Sequence, residues 1–121
     1  MATKSTFQSF DLWKKAHALS LELFKLTAWM PVEYQTGYVD CCRTNAISLC
    51  VQIAQAYLRK TPRERVEIYE QAMVTAERLR YCLILAKDLN FGDQLEKLLE
   101  DCDEISRIIH ANMTRFAKEF A

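Results

Sequence analysis

Chain breakers are nearly missing from this sequence. Its 121 residues include two glycines and two prolines, so tight turns, β-hairpins and glycine-rich phosphate loops have almost nothing to be built from. Long helices joined by short loops suit such a chain. Net charge is missing too, because sixteen Lys and Arg balance sixteen Asp and Glu. That excludes a generic, charge-driven nucleic-acid binder and leaves room only for a local patch. No run approaches the roughly 18 uninterrupted apolar residues of a membrane span. Residues 1–5 lack the basic-then-apolar pattern of a signal peptide. A cytoplasmic protein without membrane contact is expected.

Histidine is scarce and cysteine is unpatterned. His17 and His110 stand alone, and no Glu-x-x-His spacing of the di-iron bundle type occurs. Adjacent Cys41 and Cys42 point in different directions on a helix, so no metal or other cofactor is expected. Cys41, Cys42, Cys50, Cys82 and Cys102 are odd in number and lack disulfide-framework spacing. Reduced thiols on apolar stripes are expected. A cysteine nucleophile needs a base beside it, and only a tertiary coincidence would bring His17 to a thiol. No catalytic residue is assigned, and the chain reads as a non-enzyme.

Half the residues are apolar and 26% are charged, the composition of one globular domain spanning 1–121. The clearest apolar pattern lies between Tyr38 and Arg59. Val39, Cys42, Ala46, Leu49, Ile53 and Ala56 form one stripe, and Ile47, Cys50, Ala54 and Tyr57 run beside it. An arc this wide predicts burial on more than one side. The first helix carries Leu12, Ala16, Leu19, Leu23, Leu26 and Met30, in steps of four and three that give the roughly 3.5-residue period of near-parallel bundle packing. Trp13 and Phe24 widen it. Ser5 or Ser9 would cap this helix, and Pro31 would end it.

Thr61-Pro62-Arg63-Glu64 is a helix start, with Thr at the cap, Pro in the first helical position and Glu in the third. The third helix carries two lines, Val66, Tyr69, Met73 and Ala76 beside Ile68, Ala72, Leu79, Cys82, Ala86 and Leu89. It would stop at Asn90-Phe91-Gly92, with Gly92 in the left-handed conformation. Asp93 and Glu96 would cap the fourth helix, whose stripe is Leu95, Leu98, Cys102, Ile105, Ile109, Asn112 and Phe116. Asn112 on that stripe is either a polar specificity device in a helical interface or, the preferred reading, a residue near the fraying end. Four helices at about 7–30, 36–59, 61–90 and 93–119 predict an all-α, antiparallel up-down-up-down four-helix bundle. The second apolar lines, with Trp13, Tyr57 and Tyr69, exceed one central core, and self-association is the preferred explanation.

Two charge features stand out. Arg59, Lys60, Arg63 and Arg65 gather at the junction of the second and third helices, with Glu64 as the single acid. Lys14, Lys15 and Arg43 are secondary basic candidates. Phosphate contacts from such a cluster give salt-dependent binding with little sequence preference. The fourth helix begins acidic, with Asp93, Glu96, Glu100, Asp101, Asp103 and Glu104. These acids suit the helix dipole or pair with bases nearby.

Phe7…Phe10-Asp11-Leu12-Trp13-Lys14-Lys15-Ala16-His17 resembles the opening of the bacterial four-helix bundle proteins encoded in 23S rRNA intervening sequences. Pro31 through Gly37, then Arg43…Ala46-Ile47-Ser48…Ile53-Ala54, resembles that family's second-helix motif. Leu83 through Phe91 resembles the end of its third helix. Where the family reads Ser-Ile-Pro-Ala-Asn-Ile-Ala-Glu-Gly, this chain has Ser48-Leu49-Cys50-Val51-Gln52-Ile53-Ala54-Gln55-Ala56. The resemblance implies a homopentameric ring. It also implies kinship with the accessory variability proteins of diversity-generating retroelements, which associate with a reverse transcriptase and its RNA. The expected function is a non-enzymatic oligomeric adaptor that binds RNA, DNA or a nucleic-acid enzyme. The alternative is a protein-only interaction scaffold using the apolar helix faces.

Overall fold

The first helix does not start at a serine cap. In the computed structural model, which describes residues 6–120, Thr6 Oγ1 accepts a hydrogen bond from the Gln8 amide at 3.2 Å. It heads a single 3-10 turn, Phe7–Ser9. Ser9 donates its hydroxyl back to the Thr6 carbonyl, and Ser5 lies outside the described residues. Phe10 is extended, and helix α1 runs Asp11–Thr27 without a side-chain cap.

The other end of α1 is closed by residues far along the chain. Gln35 Nε2 donates to the carbonyls of Thr27 (3.2 Å) and Met30 (2.9 Å). Arg43 Nη2 donates to the Phe24 carbonyl at 3.1 Å. These donors add a side-chain bond to the Phe24 and Thr27 carbonyls, which also accept the Ala28 and Met30 amides, and bond the Met30 carbonyl in the turn beyond the helix. The helix therefore stops before Pro31 can force the break.

Helix α2, Asp40–Leu58, follows an irregular turn over Gln35–Val39 in which Gly37 takes φ 94°. Helix α3, Pro62–Asp88, starts where the Thr-Pro-Arg-Glu motif places it, with Thr61 Oγ1 accepting from the Glu64 amide at 3.2 Å. At its end Gly92 does take a positive φ, 157°, but the left-handed residue that closes the helix is Asn90, at φ 62°. The Phe91 amide bonds to the Ala86 carbonyl and the Asn90 amide to the Lys87 carbonyl, both at 3.0 Å. This is a Schellman closure built on Asn. Helix α4, Leu95–Ala117, has Gln94 at its cap position with no side-chain bond, so Asp93 does not cap it.

Side-chain pairs give the topology. Ser20 meets Ala46, and Arg43 meets Thr27; Tyr38 bonds the Cys82 carbonyl; Tyr69 meets Asn112, and Arg80 meets Asp103; Lys15 meets Glu104. In α1–α2 and in α3–α4, where two pairs are given, the partner moves down its helix as the first moves up. Sequential helices pack on one another and α4 closes on α1, an antiparallel four-helix bundle. No helix among the described residues is long and apolar enough to cross a membrane.

The stripe residues of α1 and α2 are all buried, as are Leu95, Leu98, Cys102, Ile105 and Ile109 of α4. The second lines divide. On α3 both are largely covered, since α2 and α4 flank it, and Tyr69 is only 2% exposed. Tyr69 is therefore a core residue and not surplus surface. On α2 the second line is covered at Cys50, Ala54 and Tyr57 but left open at Ile47, which is 52% exposed beside Val51 at 48% and Leu21 at 49%. Asn112 does not fray, because α4 continues to Ala117 and Asn112 donates to the Tyr69 hydroxyl at 3.4 Å.

Candidate nucleic-acid interface

The antiparallel order brings the start of α1, the end of α2, the start of α3 and the end of α4 to one end of the bundle. The basic cluster sits there. Arg59, Lys60 and Arg63 are exposed on the α2–α3 junction, and Arg65 is half-buried with Nε donating to the Arg59 carbonyl at 2.9 Å. Residues 59–61 leave the helical path because Arg59 is extended and Thr61 caps α3. The cations are therefore splayed over the bundle end and not stacked along one helix face.

Beneath them lies an aromatic floor. The Arg65 guanidinium is 5.1 Å from the centre of the Phe116 ring, and that of Arg115 is 4.7 Å from it. Arg63 lies 4.6 Å over Phe120. Tyr69 and Phe116 are parallel at 6.3 Å, and Phe10 meets Tyr57 at 5.0 Å. A cavity of about 390 Å³ opens among Phe10, Tyr57, Tyr69 and Phe116 and the side chains of Arg65 and Arg115. Burial pushes the Tyr69 phenol above its ordinary value, while the Asn112 bond and the charges of Arg65 and Arg115 pull it back. Both arginines thus act on the same hydroxyl.

Glu64 shares this junction, but several acids of α4 are paired elsewhere. Asp103 takes Arg80 at 2.6 Å, Glu104 takes Lys15 at 3.4 Å, Glu96 takes Lys87 at 3.7 Å and Asp101 takes Lys97 at 2.8 Å. Four acids in the first half of α4 are therefore paired within the chain, with Lys15 of α1, with Arg80 and Lys87 of α3, and with Lys97 of α4 itself. Among the described residues, no carboxylate lies within 4.0 Å of Arg59, Lys60, Arg63, Arg65 or Arg115. A chain of zero net charge thereby holds a local positive end.

The secondary candidates divide. Lys14 and Lys15 stand on the N-terminal half of α1, Lys14 exposed and Lys15 paired with Glu104. Arg43 is at the opposite end, and its described contacts are internal: Nε to Thr27 Oγ1 at 2.9 Å, the Phe24 carbonyl, and the Phe24 ring at 4.5 Å. Sequence reading missed Arg115 and the rings under it. An Arg-Phe pair near the end of an amphipathic helix was the available signal.

Two other places bear on chemistry. His17 and Cys50 line one apolar cavity of about 400 Å³ between α1 and α2, with Leu21, Phe24, Ile47 and Val51. The His17 ring stacks on Trp13 at 4.7 Å. Cys50 lies 3.3 Å from Ser20 Oγ, and burial raises its thiol away from ionisation, the wrong direction for a nucleophile. Cys42, Cys82 and Cys102 are buried, Cys50 is half-buried and Cys41 is exposed, all as free thiols. Among the described residues no group of three or more His, Cys, Asp or Glu is placed to hold a metal.

The class these features define is an all-α four-helix protein with a positively charged, aromatic-floored end. Residues 8–111 match the family model described as 23S rRNA-intervening sequence protein, and the chain belongs to that family. No curated protein and no solved structure matches the chain.

Proposed function

We propose that this protein is a non-enzymatic, cytoplasmic helical-bundle adaptor that binds RNA or DNA, or an enzyme acting on them such as a retroelement reverse transcriptase. In this reading it works as a homopentameric ring. One observation carries it: five cations, Arg59, Lys60, Arg63, Arg65 and Arg115, share one bundle end without a carboxylate partner among the described residues. Several unpaired cations over aromatic rings are what a phosphate backbone and exposed bases require. In a ring the end would be repeated, and avidity would multiply a weak site. The retroelement connection and the subunit number rest on the family resemblance.

The second reading is a protein-only scaffold. It is favoured by the open apolar surface of Leu21, Ile47 and Val51, which would suit a subunit contact or a protein partner. The two differ in salt dependence. Labelled RNA and DNA oligonucleotides are titrated by fluorescence anisotropy at rising salt. Affinity falls with a slope of about −0.7 to −0.9 per phosphate contact. Replacing Arg59, Lys60, Arg63 and Arg65 together with Glu abolishes binding. Unchanged binding by that variant, or binding that ignores salt, overturns the adaptor reading and leaves the scaffold.

A further inference from the structure

The cations at the bundle end are not all on its rim. Arg65 and Arg115 flank a recess whose walls are Phe10, Tyr57, Tyr69 and Phe116. A surface that tracks only a duplex backbone needs outward-facing charge and no such recess. The volume, about 390 Å³, lies near the bottom of the roughly 300–1,000 Å³ range of ligand pockets. It admits one base with its phosphate and excludes a paired helix.

The polar groups fit the same occupant. Two guanidiniums within 5.1 Å of one ring present planes on which a base stacks and N–H pairs that grip a phosphate. Tyr69 is 2% exposed yet lines the recess. Its hydroxyl accepts from Asn112, and no described hydrogen bond takes its proton. That proton is available to an acceptor on a base edge, which a paired base does not offer inside its stack. Arg115 and Phe116 lie beyond the residues 8–111 matched by the family model, so the recess is not a feature of the matched segment alone.

From this we infer that the recess takes a single unstacked nucleotide, and that the partner is a single strand and not a duplex. Phe10, Tyr57 and Phe116 hold the base, Arg65 and Arg115 hold its phosphate, and Arg59, Lys60 and Arg63 guide the flanking backbone. This rests on the nucleic-acid reading above and narrows it.

The test compares a labelled single-stranded RNA of about 12 nucleotides with its duplex, using the full chain and the variants Arg115→Gln and Phe116→Leu. The single strand binds more tightly than the duplex. Phe116→Leu weakens it by roughly 5- to 150-fold, the range for loss of one stacked base. Arg115→Gln weakens it and lowers the salt slope by about 0.7. In both variants duplex affinity falls less than single-strand affinity, so the single-strand preference shrinks. Arg115 is exposed, so its variant keeps the test valid if a melt shows that Phe116→Leu misfolds. Single-strand affinity unaltered by Arg115→Gln, with binding still lost in the four-Glu variant, overturns the recess and spares the adaptor. Wild-type binding to neither nucleic acid overturns both.

Discussion

Arg43 tests whether basic residues of this chain divide into structural and binding groups. Its Nε donates to Thr27 Oγ1, its Nη2 to the Phe24 carbonyl, and its plane covers the Phe24 ring. Thr27 is fully buried and also donates to the Leu23 carbonyl at 2.8 Å. A hydrogen bond to a charged group contributes about 1.5–3 kcal/mol when buried. Arg43 is half-buried, so the lower end applies, with about 0.5–1 kcal/mol more from the ring. Arg43→Met therefore costs about 2 kcal/mol and Thr27→Val about 1–2 kcal/mol, with a coupling of about 1 kcal/mol in a double-mutant cycle. Thermal unfolding at fixed protein concentration reads this as about 4 °C per kcal/mol for a domain of this size. Oligonucleotide affinity of Arg43→Met stays at the wild-type value wherever the variant is folded. Additive melting temperatures, or a folded Arg43→Met that loses binding, refute the assignment of Arg43 to the closure of α1.

Two further outcomes are expected. Native mass spectrometry finds the wild-type chain at five times its monomer mass, and Ile47→Glu with Val51→Glu reduces it to the monomer while circular dichroism stays helical. A wild-type monomer removes the ring. In the alkaline range, burial, helped by the charge of Asp103, pushes the Cys102 thiol up to about 12 from 9.0. The unfolded chain releases this proton above pH 9 while the folded one keeps it. The contribution is therefore complete below pH 9 and is lost as pH rises toward 12, by roughly 1 kcal/mol at pH 10. Urea titrations at pH 8 and 10 show a smaller loss for Cys102→Ala than for wild type. Equal losses sink the argument.

The helices were legible because periodicity is a local record of burial. The stripes of α1, α2 and α4 needed only steps of three and four, and the Thr61 cap needed four consecutive residues. What failed depended on partners elsewhere. The end of α1 is held by Gln35 and Arg43, which spacing around Pro31 does not reveal. Asn90 took the left-handed position that Gly92 was expected to fill, because the closure required it one residue past Leu89. The Arg59–Arg65 cluster was visible as composition. Arg115 was not, since its role requires α4 to return to the end where α2 stops. Tyr69 read as surplus aromatic surface until α4 covered it.

The recess at the bundle end joins Phe10, the extended residue just before α1, to Phe116 in the last turn of α4. Pairing of α1 with α2, and of α2 with α3, involves neighbours in sequence and is quick to form, but closing α4 on α1 spans nearly the whole polypeptide. During synthesis the first three helices can associate while this site does not exist. It comes into being only when the last helix docks. A ligand held there stabilises the closed bundle and none of its precursors, so binding doubles as a report that folding has finished.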